Sequence, residues 1–166
     1  MPFIAIALVI AAALGGGTAA AAQASLPGDA LWGFKVRVNE GLAGALSASD
    51  TAKADWDLNT IKTRLGEAQT LSAKGELTAD VQADIAANLK SHGEGIKATI
   101  ARLQAEGNAE AAASIAARYQ AQLAAGAEYT AAAASAKGSN DAINTTLHAA
   151  LEDATMLSAS VSAAVR

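Results

Sequence analysis

The sequence predicts an all-α protein: an antiparallel, alanine-rich bundle of four to five helices, preceded by a signal peptide. Three observations predict it. Of 166 residues, 47 are Ala, the residue with the best intrinsic helix propensity, and only 39 are apolar and larger than Ala. Those larger residues recur every three or four positions along four stretches, which is the period of one helix face. No stretch holds the period-two alternation of a half-buried strand. The first 24 residues carry no charge at all. The length is that of one domain, and the reading assigns it to residues 25–166.

The opening segment has the layout of an export signal. The apolar run from Phe3 to Leu14 is followed by Gly15-Gly16-Gly17-Thr18, and Ala22-Gln23-Ala24 has the small-x-small pattern of a signal peptidase site. Cleavage after Ala24 leaves Ser25 as the mature start. The basic residues that usually precede the apolar run are missing, the first basic residue being Lys35. The alternative is an uncleaved anchor, since roughly 20 apolar residues span a bilayer. Both readings place residues 25–166 outside the cytoplasmic membrane, in the periplasm, at the cell surface or in the medium.

Five helices follow. Pro27-Gly28 forms a turn and Asp29 is the expected N-cap of a helix over 30–46, its carboxylate accepting the free amide hydrogens of the first turn. Leu31, Phe34 and Val38 share one face of that helix, Trp32 leans on the next helix, and Lys35 meets Glu40 or an acid of a partner helix. Ser49 or Asp50 caps a helix over 50–74, whose seam is Leu58, Ile61, Leu65, Ala68 and Leu71; Gly75 ends it. Thr78 starts a helix over 78–106. There Val81, Ile85, Leu89, His92, Ile96, Ile100 and Leu103 keep one face for more than twenty residues, close to a heptad seam of the coiled-coil kind. Gly107-Asn108 separates it from a helix over 108–136 with Ala112, Ile115, Tyr119, Leu123 and Ala127 in its seam and Gly126 as a weak point. Gly138-Ser139 precedes the last helix, 140–164, whose seam Ile143, Leu147, Leu151, Ala154, Leu157 and Val161 continues to Val165. Short connections make neighbours antiparallel.

At the N-terminus, Leu26-Pro27-Gly28-Asp29-Ala30-Leu31-Trp32-Gly33-Phe34-Lys35 resembles the L-P-G-D-x-L-Y-x-x-K opening of a family of exported bacterial helical proteins of unknown function. Arg64-Leu65-Gly66-Glu67-Ala68 resembles that family's R-L-x-E-A helix. Trp32 stands in place of the usual Tyr, and Gly33-Phe34 in place of the more frequent Pro-Val. The resemblance spans residues 26–105. It implies an extracytoplasmic helical domain and supplies no catalytic residue.

Composition narrows the chemistry. The net charge is −4, against a nucleic-acid binder held by phosphate contacts. The absence of Cys removes disulfides, thiolate metal sites and a cysteine nucleophile. There is no G-x-S-x-G elbow and no phosphate loop. The mixed charges Lys53, Asp55, Asp57, Lys62 and Arg64 read as a solvated helix face, and the chain from Gly107 onward is poor in charge. The one specific site the residues offer is a divalent metal held by His92, Glu94, His148 and Glu152, if the third and fifth helices bring two His–carboxylate pairs together. Gly93 and Gly95 flank Glu94 inside the third helix. They mark a hinge or a close approach by another helix or a ligand; the hinge reading predicts that Ala at both positions raises the melting temperature.

The expected function is a non-enzymatic, exported structural or protein-interaction module of the bacterial cell envelope. A periplasmic metal-binding or sensing protein is the alternative. The expected partner is another protein or a second copy of the chain, with no nucleic acid, no cofactor beyond a possible divalent metal, and membrane contact only through residues 1–24.

Overall fold

The computed structural model describes Ala22, residues 24–36, 47–134 and 140–164. The described secondary structure is helical throughout. The chain divides into two compact units, Met1–Leu46 and Ser47–Arg166. The four long helices pack on one another within the second unit. The signal segment and residues 37–46 of the first expected helix lie outside the described residues. Among the described residues no helix is long and apolar enough to cross a membrane.

In the first unit the Pro-Gly turn forms as expected, with Gly28 at φ +98°. Asp29 acts in the opposite direction from the expected cap. Its carboxylate accepts the backbone N–H of Leu26 at 2.7 Å, closing the turn behind it, and its own N–H donates to the Leu26 carbonyl at 2.9 Å. The helix α1 is one short turn, Trp32–Phe34, and starts from Leu31 without a side-chain cap. Lys35 is buried, and its ammonium donates to the Ser25 carbonyl at 3.2 Å.

The second unit holds α2 (Asp50–Lys74), α3 (Ala79–Ala105), α4 (Ala109–Ala134) and α5 (Asp141–Ala164). The Ser49 hydroxyl accepts from Ala52 N–H at 3.1 Å and Thr78 from Val81 N–H at 3.4 Å, so both predicted caps work. Gly75 sits in the left-handed region at φ +72°. That conformation lets its N–H reach Ser72 and the N–H of Glu76 reach Leu71, a Schellman ending that β-carbon-bearing residues disfavour. Gly107 ends α3 in the same way, with Asn108 N–H on the Leu103 carbonyl.

α3 and α4 each pack against the other three long helices, whereas α2 and α5 occupy opposite corners. The predicted seams meet in the middle: Ile61, Ile85, Ile96, Ile100, Ile115, Leu123, Ile143 and Leu147 are all essentially inaccessible. Gly126 is no weak point. It is buried, and a Cβ there would lie 2.8 Å from a methyl of Leu65, so its missing side chain lets α2 approach α4.

The face of α2 departs from the sequence reading. Asp57 and Arg64, predicted on a solvated face, are buried together with Thr60 and Glu67. Arg64 is wholly buried and ion-paired to Glu67 one turn on. With Leu65 and Ala68 also buried, four of the five residues of the Arg64–Ala68 motif pack inward and Gly66 is exposed. An ion pair out of water tolerates loss of one partner poorly, because the other charge is then left without compensation.

Candidate functional site

His92 occupies an apolar seam position of α3, so it must face a neighbouring helix, and α2 meets it with an acid. Its Nδ1 lies 2.7 Å from Oδ1 of Asp57. The other carboxylate oxygen accepts from the Lys53 ammonium at 2.5 Å, one turn back on α2. Trp56 closes the group: its ring centroid is 5.0 Å from that of the imidazole in an edge-to-face arrangement, and Lys53 Nζ stands 4.8 Å from the indole centroid. The Asp57 side chain is 2% exposed and that of His92 13%. A carboxylate this far from water needs charged or hydrogen-bonding partners on both oxygens, and here it has them. The pair orients an imidazole, the arrangement that proton-sensing and metal-ligating histidines share.

Gly95 makes this possible. A Cβ at Gly95 would lie 2.8 Å from Oδ2 of Asp57, in the space the carboxylate fills. Two positions earlier, a Cβ at Gly93 would overlap the hydroxyl oxygen of Tyr119 on α4. The glycine pair sits at two close approaches, and α3 runs unbroken through both from Ala79 to Ala105. Each glycine costs the helix about 1 kcal/mol against Ala, and the space it frees is occupied by a polar group from a different helix.

On the other side of α3, Glu94 and Lys97 point toward α5. Lys97 Nζ is 2.9 Å from Glu94 and 3.0 Å from Asp153 of α5. Hydrogen bonding to Glu94 first, then to Asp153, lifts the Lys97 pKa above its ordinary value, against the opposing effect of partial burial. Beside this bridge lies a cleft of about 260 Å³ formed by α3, α4 and α5, with Gly93 and Tyr119 among its lining residues. Tyr119 is 2% exposed. Burial pushes its phenol up to about 12, with Lys97 pulling it down and Glu94 and Asp153 pushing it up by smaller amounts.

The four metal candidates fall in three places. His92 turns to Asp57 in the α2–α3 seam, and Glu94 is an exposed partner of Lys97. His148 and Glu152 remain neighbours on an exposed strip of α5 with Leu151, Thr155 and Met156. Among the described residues no group of three or more His, Asp or Glu is placed to hold a metal ion. The residue that sequence reasoning missed is Asp57. One signal pointed to it: a His at a seam position needs a polar partner across the seam, and Asp57 lies one residue before the seam leucine Leu58. The chain matches no protein-family model, and no curated protein and no solved structure is detectably similar to it.

Proposed function

We propose that the chain is an exported module of the bacterial cell envelope, an antiparallel helical bundle that works by association, and that it pairs with a second copy of itself through the outer face of α5. The uncharged opening segment and the resemblance of residues 26–35 to exported helical proteins support export. The observation that carries the association is Met156, 65% exposed on the strip it shares with His148, Leu151, Glu152 and Thr155. Methionine side chains adapt to irregular partner surfaces and are over-used at binding faces. The strip is also self-complementary. In a twofold pairing of α5 with its copy, His148 of one chain faces Glu152 of the other across Leu151 and Met156, the isologous exchange that a symmetric dimer requires.

Sedimentation velocity of the full chain tests the association. The expected result is a concentration-dependent dimer that becomes a monomer in Met156→Glu, with an unchanged helical spectrum because the position is exposed. A monomer at every concentration overturns self-pairing. A dimer unaffected by Met156→Glu moves the contact away from α5. Fusion of the full chain to a reporter active only outside the cytoplasm tests export: an inactive fusion overturns it, and the mass of the recovered chain separates cleavage after Ala24 from an uncleaved anchor.

A further inference from the structure

The cleft between α3, α4 and α5 contains a group that the packing of the bundle does not use. Tyr119 is almost wholly buried, yet its hydroxyl has no hydrogen-bond partner among the described residues. It lies against Gly93, in the lining of the cleft. A Phe would fill the same ring space without presenting a hydroxyl to the water of the cleft. One water would satisfy the group, but about 260 Å³ is several times the roughly 30 Å³ share of a water molecule. It falls just short of the roughly 300–1,000 Å³ of small-molecule sites.

The lining specifies the chemistry. The phenol is protonated at neutral pH, as an ordinary tyrosine is, so it can donate a hydrogen bond into the cleft. Two cations, Lys90 and Lys97, face two carboxylates, Glu94 and Asp153, and Lys97 already bridges both acids. The four charges sum to zero, so the lining as a whole carries no net charge favouring an anion or a cation. Ala149, Ala150 and Gly93 present apolar surface, with Thr145 and Thr146 beside them.

We propose that this cleft binds a small uncharged molecule with an apolar body and one acceptor oxygen, which takes the hydrogen bond of Tyr119 Oη while its body lies on Ala149 and Ala150. The site is separate from the outer strip of α5, and its occupancy does not depend on the association proposed above. Gly93 is part of it: the missing side chain lets the hydroxyl reach the cleft.

Amide-resolved NMR titration of the full chain tests this with four probes, benzamide and cyclohexanone as the uncharged class, benzoate and benzylammonium as its charged counterparts. The expected result is saturable shifts at Gly93, Ala149 and Ala150 with the two uncharged probes. Ala149→Leu, a change at an exposed position that fills the cleft, abolishes them. Tyr119→Phe weakens binding about five- to tenfold, the loss of one hydrogen bond. Tighter binding of benzoate or benzylammonium overturns the assignment to an uncharged ligand. Shifts elsewhere on the chain, shifts insensitive to both variants, or no shift with any probe at millimolar concentration overturn the site itself.

Discussion

Two sides of one helix were treated differently in this protein. On the side of α3 that faces α2, Gly95 makes room for the Asp57 carboxylate, which is then clasped by Lys53 and His92. On the side that faces α4 and α5, Gly93 makes room for the Tyr119 hydroxyl, which is clasped by nothing among the described residues and opens on a cleft. The same device, a glycine in mid-helix, closes one polar group into the core and leaves the other open to a cavity. The difference shows that a helix-breaking residue carries no fixed meaning; what the opposite helix places against it decides its role.

The largest effect should come from emptying the closed side. Asp57→Ala leaves His92 and Lys53 facing a buried gap, and removal of one partner of a buried ion pair costs about 3–5 kcal/mol. Lys53 is partly solvated, which puts the expectation at the lower end. Chemical denaturation with equal slopes for both proteins measures it. The matched change on the open side, Glu94→Ala, removes a 59%-exposed carboxylate and should stay within about 0.5 kcal/mol. Equal effects would erase the distinction between the two sides.

Next come the glycines. Gly95→Ala must displace a carboxylate held by two partners, and overpacking of this kind costs about 1–3 kcal/mol, against about 1 kcal/mol gained in helix propensity. Gly93→Ala must displace a ring locked in the core. Both should lower the melting temperature, opposite in sign to the rise a hinge predicts. A rise for Gly93→Ala alone would mean that the Tyr119 ring moves freely into the cleft, sharpening the contrast with Gly95.

The open side should also carry a pH signature. Tyr119 titrates at about 12 in the folded chain and near 10 when unfolded. Its contribution is complete below pH ~10 and is lost as pH rises toward 12, because the unfolded chain gives up its proton first. Melts across pH 9–11.5 should fall less steeply in Tyr119→Phe than in the parent. Ultraviolet titration should show one late phenolate phase that this variant lacks. Parallel melting curves would place the phenol in contact with bulk water and remove the basis for an enclosed donor.

How much of this was legible beforehand follows from what is local and what is not. The limits of α2 and α3 were, because caps and endings are written within four residues of each other: Ser49 before Ala52, Thr78 before Val81, Gly75 and Gly107 after their seams; the start of α1 was not, because Asp29 closes the turn behind it instead of capping. The seams were too, because three- and four-residue spacing survives whichever helix supplies the opposite wall. The closed site was not. His92 and Asp57 are 35 positions apart, and their meeting depends on the register between α2 and α3, which no spacing within either helix sets. Mixed signs along α2 resembled a solvated face because Lys53 and Asp57 make their pair within the helix, at the spacing that surface pairs also use. Burial, not sequence, separates the two cases.

The smallest expected effect is the tie across the cleft mouth. Lys97 reaches Asp153 over 3.0 Å between two helices, with side chains 30% and 50% exposed. Solvent-exposed pairs of this sort contribute about 0.2–1 kcal/mol, and salt screens them. Asp153→Asn should therefore cost under 1 kcal/mol at low ionic strength and nearly nothing in molar salt, with Glu94 still holding the ammonium. What the substitution should change more is the balance of charge around the cleft, since it leaves two lysines against one carboxylate. Benzoate should then gain on benzamide in the NMR titration. If benzoate gains nothing, the charged rim lies too far from the bound molecule to be felt, and selectivity rests on the phenol and the alanines alone.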